Sequence, residues 1–229
     1  MAAATLFVTG TDTGVGKTRV ACAVLLRLRA EGIAAAGFKP VASGAERSAA
    51  GLRNEDALAL LAASAPGLDY AEVNPWCFEP PIAPHLAAAG AGAVLTADAL
   101  DAAHARLARR HDWVVTEGAG GWMVPLAPGL GFADWVERRR WPVLLVVGMR
   151  LGCINHALLS AEAIRRRTRL AGWVANVLPP QQDRLRGNIE TLRALLPEPL
   201  LATVPTGADA AQIAANLDWT ALRDAMAPI

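Results

Sequence analysis

A chain of 229 residues with 53% hydrophobic content is long enough to enclose one sizeable core, and one domain spanning residues 1–229 is expected. The near-balanced charge, 22 basic against 21 acidic side chains for a net +1, gives no electrostatic basis for binding nucleic acid or an anionic membrane. The strongest apolar run, 141–149, is too short to cross a bilayer, no basic segment precedes the apolar N-terminal residues, and Cys22, Cys77 and Cys153 are too scattered for a disulfide framework or a zinc site; a cytoplasmic location is expected.

In chain order, residues 5–9 read as a strand and 17–31 as a helix with Gly32 just past its end. Residues 33–38 form a weaker, Ala-rich strand pattern. Residues 54–64 read as a helix with Asn54 as its cap, and 74–84, with four prolines, reads as loop. Thr96 caps a helix over 96–110. Strands at 113–116, 143–147, 170–177 and 200–204 then alternate with helices at 132–139, 155–167 and 186–195. Strands that are apolar throughout are covered on both faces, and their alternation with helices predicts a doubly wound, mostly parallel α/β sheet with helices on both faces. The clusters Arg138–Arg140 and Arg165–Arg167 are read as solvated helix ends, where cations complement the dipole. The tryptophans follow no periodic pattern and are assigned to core or interface.

The run GTDTGVGKT at residues 10–18 follows a strand and opens a helix, the context a phosphate-binding loop requires. Gly14 and Gly16 allow the backbone to approach phosphate oxygens, and the helix start adds its positive dipole end. Lys17 reaches towards β- and γ-phosphates, and the Thr18 hydroxyl suits Mg²⁺. The strict pattern has four residues between its first glycine and Gly16-Lys17-Thr18; Thr11 stands at that first position, and Gly10 comes one residue earlier.

Ligands of an open parallel sheet bind at the carboxyl ends of its strands. Those ends deliver Lys39 followed by Ser43, Glu117 followed by a glycine-rich turn, Asn176, and Pro205. A carboxylate directly after an apolar strand is a second magnesium anchor in phosphate-loop enzymes, which singles out Glu117. A second lysine, Lys39, suits charge developing on an additional oxyanion. Asp56 sits at a helix start, where an acid is stabilising in any case, so its part in metal binding stays open on these grounds. His85, with no partner visible in the sequence, is read as structural.

The runs VTGTDT (8–13), GKT (16–18), KPVASG (39–44), GLRNEDAL (51–58), EGAGGW (117–122), FADW (132–135), GCINH (152–156) and GWVAN (172–176) together resemble the dethiobiotin synthetase family over nearly the whole chain. The resemblance implies a phosphate-loop NTPase fold and a homodimeric ligase. Its substrates would be 7,8-diaminononanoate, CO₂ and ATP, and the reaction would pass through a carbamate and its mixed anhydride with phosphate. By position, it implies Lys39, Lys17 and Thr13 as catalytic and Thr18, Asp56 and Glu117 as Mg²⁺ ligands. The nucleotide would be held by Gly14, Val15, Gly16, Lys17, Thr18, Arg19, Asp56, Glu117, Gly118, Ala119, Gly120, Asn176, Val177, Pro205, Thr206, Gly207 and Gln212. Substrate would meet Ser43 and, from the other subunit, Gly152, Cys153 and Asn155. Gly14 and Gln212 replace acidic residues of the family pattern, and Gln212 leaves one nucleotide contact open. The competing reading is a dimeric switch or partition ATPase; such proteins carry a second lysine inside the loop, where this chain has Asp12.

Overall fold

The computed structural model describes residues 3–227; the ends of the expected domain, 1–2 and 228–229, lie outside the described residues. Six strands form the central sheet: β1 Ala4–Gly10, β2 Ala35–Phe38, β3 Trp113–Glu117, β4 Val143–Met149, β5 Leu170–Val177 and β6 Leu200–Val204. They lie in the order β6-β5-β4-β1-β3-β2, and every neighbouring pair is parallel. Every residue of β4 and β5 is buried, as expected for strands covered on both faces.

The helices that pack around the sheet include α1 Lys17–Ala30, α2 Glu55–Ala63, α3 Ala97–Ala108, α4 Phe132–Arg139, α5 Cys153–Arg165, α6 Leu185–Leu195, α7 Ala210–Asn216 and α8 Trp219–Met226. Side chains alternate across a strand, so β1 feeds two cores. Phe7 packs with buried residues of α3, α4, α5 and α6, and Leu6 and Val8 pack with α1, α2, α7 and α8. Full burial of each such side chain contributes about 1.5–3 kcal/mol. Trp135 and Trp173 are the bulkiest fully buried side chains, in keeping with the core assignment of the tryptophans.

The chain leaves β1 for β2, returns to β3 beside β1, then crosses to β4 on the other side and continues outward. The strand order therefore reverses at β1, and the carboxyl end of β1 opens into the crevice where such sheets bind ligands.

Several expectations shift. The helix expected from residue 155 begins at Cys153, because Gly152 takes a left-handed conformation (φ 93°) and starts the turn early. Within the expected loop, Trp76–Cys77 pairs with Val41–Ala42, and a helix over Pro84–Gly90 opens with Pro84 in its first turn, where a missing N–H costs nothing. The helices α7 and α8 follow the last expected element. The arginine clusters do lie at helix ends, but they are not merely solvated. Arg167 reaches Asp134 at 2.6 Å and Glu137 at 3.1 Å on α4, and Arg138 reaches Asp98 at 3.0 Å on α3. Among the described residues, no helix is long and apolar enough to cross a membrane.

Candidate active site

The loop between β1 and α1 turns through two left-handed glycines, Gly14 (φ 72°) and Gly16 (φ 92°). Val15 between them is buried and wedges against the sheet. A Cβ on Gly10 would meet its Cγ2 at 2.5 Å, and one on Gly148 of β4 would meet its Cγ1 at 2.6 Å. Thr11, which displaces the glycine of the strict pattern, is tied down instead. Its N–H donates to Val146 O at 3.0 Å, and its hydroxyl accepts from Gly148 N–H at 3.2 Å. Asn176 at the end of β5 donates from Nδ2 to Val15 O at 2.7 Å. A Cβ on Gly16 would stand 2.4 Å from that nitrogen, so the loop, β4 and β5 are fitted together without spare room.

Lys17 begins α1 and is buried, its Nζ donating to Asp12 O at 2.9 Å. Burial and the charge of Lys39 pull it down to about 8. The Asp12 carboxylate accepts from Thr13 N–H at 2.7 Å and pairs with Arg150.

Three elements bring a second cluster to the floor of the crevice. Lys39 follows β2, Asp56 lies in the first turn of α2, and Glu117 ends β3. Lys39 Nζ stands 2.6 Å from Glu117 Oε1 and 3.0 Å from Asp56 Oδ2, and donates to Gly118 O at 3.2 Å. The side chain of Glu117 is fully buried, that of Lys39 nearly so, and that of Asp56 is 44% exposed. Burial alone would lower the Lys39 ammonium, but Glu117 and Asp56 outweigh it and hold Lys39 above its ordinary range. Burial pushes Glu117 up despite Lys39. At Asp56 the opposite balance holds: burial raises it, but Lys39 and the Thr18 hydroxyl keep it below the usual carboxylate range.

Thr18 Oγ1 lies 2.7 Å from Asp56 Oδ1 and 2.9 Å from Glu117 Oε1. One hydroxyl proton serves only one of these at a time, and Glu117 Oε2, buried, has no partner at all. The cluster therefore offers more oxygen acceptors than it has protons, which is the donor set of a hard cation. Among the described residues no three His, Cys, Asp or Glu side chains form a complete metal cage. Two carboxylates and a hydroxyl fit Mg²⁺, which takes few protein ligands and completes its shell with phosphate and water.

The cleft above these groups has a volume of about 730 Å³. Of the residues singled out in the sequence, Thr13, Gly14, Gly16, Lys17, Thr18, Arg19, Lys39, Ser43, Asp56, Glu117, Ala119 and Gly120 line it. Gly118 lies under it, its carbonyl held by Lys39. The opposite wall is apolar, made by Pro81, Ile82, Pro84, Met123 and Val124, residues to which the sequence reading assigned no place. Pro205, Thr206, Gly207 and Gln212 line a second cavity of about 460 Å³ beyond β6. Arg19 donates from Nη1 to Ala208 O at 3.1 Å and so joins α1 to that segment. Val177 is buried behind it, its carbonyl accepting from the Thr206 hydroxyl at 3.3 Å. The Gln212 side chain is already engaged, accepting from Asp209 N–H at 3.0 Å in a capping box.

Gly152, Cys153 and Asn155 line neither cavity of their own chain. Gly152 and Asn155 are exposed and Cys153 is buried, its thiol met by Gln182 Nε2 at 3.7 Å. The Cys153 N–H is also committed, donating to Arg150 O at 2.9 Å.

Known proteins share both the architecture and the sequence. Residues 4–214 match a family described as an AAA domain. A ParA family ATPase from Chlorobium tepidum superposes with a TM-score of 0.51 at 13% identity, covering 98% of each chain, a likeness of fold alone. In sequence, the chain is 54% identical over 216 residues to the ATP-dependent dethiobiotin synthetase BioD of Pseudomonas paraeruginosa, covering 93% of this chain and 95% of that one. It is 49% identical over 200 residues to dethiobiotin synthetase BioD 1 of Escherichia coli, covering 87% and 89%. Identity at that level over nearly the full length of both partners places this chain in the family of ATP-dependent dethiobiotin synthetases, ligases of biotin biosynthesis.

Proposed function

We propose that the cleft closes the cyclic urea of dethiobiotin from 7,8-diaminononanoate, CO₂ and ATP, with Mg²⁺ as cofactor. In this reading one amine of the substrate attacks CO₂ and loses a proton, giving a carbamate. A carbamate oxygen attacks the γ-phosphorus of ATP, and the bond to ADP breaks. The second amine then attacks the carbonyl carbon of the mixed anhydride and gives up a proton, phosphate leaves, and the ring closes.

The observation that carries the reading is Lys39, a charged ammonium 2.6 Å from Glu117 and 3.0 Å from Asp56 on the floor of the phosphate-loop cleft. A plain ATP hydrolysis site needs no second cation there. An acid substrate that becomes phosphorylated does, because negative charge develops on both the acceptor oxygen and the transferring group. Lys17 covers the phosphates and Lys39 the carbamate. The N–H groups of the loop around Thr13, Gly14, Val15 and Gly16 hold the triphosphate in line. Thr18, Asp56 and Glu117 hold Mg²⁺, which when bound neutralises phosphate charge. The apolar wall from Pro81 to Pro84 and from Met123 to Val124 suits an alkyl chain, with Ser43 at its polar end. Asn176, Val177 and the segment 205–207 surround the base. Gly152 and Asn155 of the partner subunit of a homodimer complete the site at the substrate carboxylate. The buried thiol of Cys153 is left to packing.

Incubation with ATP, Mg²⁺, bicarbonate and the diamine, followed by product mass, tests the reading. Phosphate release that requires both the diamine and CO₂ supports it, and a product of dethiobiotin mass identifies the ring. Phosphate release indifferent to the diamine overturns it.

A further inference from the structure

We propose that Tyr70 and Asn74, which lie outside the cleft lining, are positioning residues that set the separation of Lys39 and Asp56; this rests on the reading of those two as active-site groups. Lys39 stands one residue beyond β2, so its backbone is not held by the sheet ladder. Both of its peptide groups are instead held by the short helical turn Tyr70–Val73 and its end. Lys39 N–H donates to Val73 O at 2.8 Å, and Asn74 Nδ2 donates to Lys39 O at 2.7 Å. Asn74 is buried, 2% exposed.

The same asparagine is oriented by Tyr70, whose hydroxyl donates to Asn74 Oδ1 at 2.9 Å. That hydroxyl also accepts from the backbone N–H of Asn54 at 2.7 Å. Asn54 is the cap of α2, its Oδ1 accepting from Ala57 N–H at 3.2 Å, and Asp56 sits in the first turn it caps. One tyrosine oxygen therefore bridges the backbone segment that carries Lys39 and the one that carries Asp56. With its proton given to Asn74, the tyrosine oxygen can only accept from Cys77, whose sulfur lies 3.3 Å away. Every role of the hydroxyl is thus assigned. Burial pushes the phenol up to about 12, so it keeps the proton it gives Asn74. The ring is held by the Arg53 guanidinium 4.3 Å above it, a contact that Tyr70→Phe leaves in place.

Catalytic groups displaced by an ångström lose large rate factors while ground-state binding survives. Tyr70→Phe is therefore expected to lower kcat about 10-fold or more, with KM for ATP within about twofold. The loss persists at temperatures where the variant is fully folded. Asn74→Ala is expected to do the same, and Cys77→Ala, which leaves the bridge intact, to change neither constant. A crystal structure of Tyr70→Phe supplies a readout independent of turnover: the 3.0 Å contact between Lys39 Nζ and Asp56 Oδ2 opens. A wild-type enzyme that does not convert the diamine sinks the functional reading, and the crystal geometry then still decides the positioning role. Unchanged kcat in an active enzyme, or an unchanged Lys39–Asp56 contact in the variant, overturns the proposal.

Discussion

In the proposed reaction Lys39 meets the carbamate, and in the folded chain it also balances a buried charge. It neutralises Glu117, whose carboxylate is wholly buried, and a buried charge stripped of its partner costs about 3–5 kcal/mol. Lys39→Gln is expected to retain ATP binding by calorimetry while kcat falls by about 10²–10³, the scale of a lost oxyanion donor; near-normal turnover refutes the assigned role. Lys39→Met should lower unfolding stability by about 3–5 kcal/mol, and adding Glu117→Gln should restore most of it. Denaturant melts of the single and double variants measure the difference, and simple additivity would show that the pair is not coupled. At this scale the sequence was informative where a polar residue follows an apolar strand, because a strand's end in a parallel sheet is already a location. Lys39 and Glu117 are legible for that reason. Ile82 and Met123 are not, since they sit on loops whose path depends on tertiary contacts rather than on local pattern.

Elements with strong caps were legible almost to the residue. Thr96 accepts from Ala99 N–H at 3.1 Å at the start of α3, and Asn54 does the same for α2. Thr96→Ala should therefore cost about 1 kcal/mol, read as a lower thermal midpoint with unchanged activity; a midpoint that does not move would assign the helix start to packing alone. The α7 helix was missed although its signal was present. Asp209 stands three residues before Gln212, and their side chains and backbones exchange hydrogen bonds at 2.8 and 3.0 Å. Seven residues are too few for apolar periodicity to register, so only the cap could have announced it. The early start of α5 was hidden for another reason: it depends on Gly152 adopting a positive φ, which a glycine permits but does not declare.

At the scale of the whole molecule, the parallel sheet and its two cores were readable because six apolar runs alternate with helices. Their order was not, because neighbours in a parallel sheet are distant in sequence. One buried group makes stability depend on pH. His104 lies in the core against Trp141, ring centroids 4.4 Å apart, with Nε2 3.0 Å from the Thr5 hydroxyl. Burial, and secondarily Arg139, lowers it from 6.5 to about 4. The folded protein therefore keeps the imidazole neutral while the unfolded chain protonates it. Its contribution is complete above about pH 6.5 and is lost as pH falls towards 4, amounting to roughly 3 kcal/mol over that window. Urea melts from pH 7 to 4 should show this decline, and His104→Gln should flatten it; an equal slope in the variant would place the titration elsewhere. The proposed dimer has its own test. Leu151 is 94% exposed next to Gly152, so Leu151→Glu is expected to shift the sedimentation coefficient to that of a monomer and abolish diamine turnover, with nucleotide binding retained. A monomeric wild type, or an active monomeric variant, would remove the shared site.

The wedge of Val15 between Gly10 and Gly148 bears on how phosphate loops are recognised at all. Spacing rules describe such a loop as a string of glycines, yet here one of those glycines is a threonine and the turn still closes. Hydrogen bonds to Thr11 and Val15 hold it together with volume: a valine whose seat exists only while β4 offers no side chain at position 148. The motif is therefore discontinuous, with a member 132 residues beyond Gly16 by simple subtraction of their positions. A methyl group added at Gly148 on the neighbouring strand would meet Val15 at 2.6 Å, as close an approach as the 2.5 Å of one added at Gly10 where the loop begins.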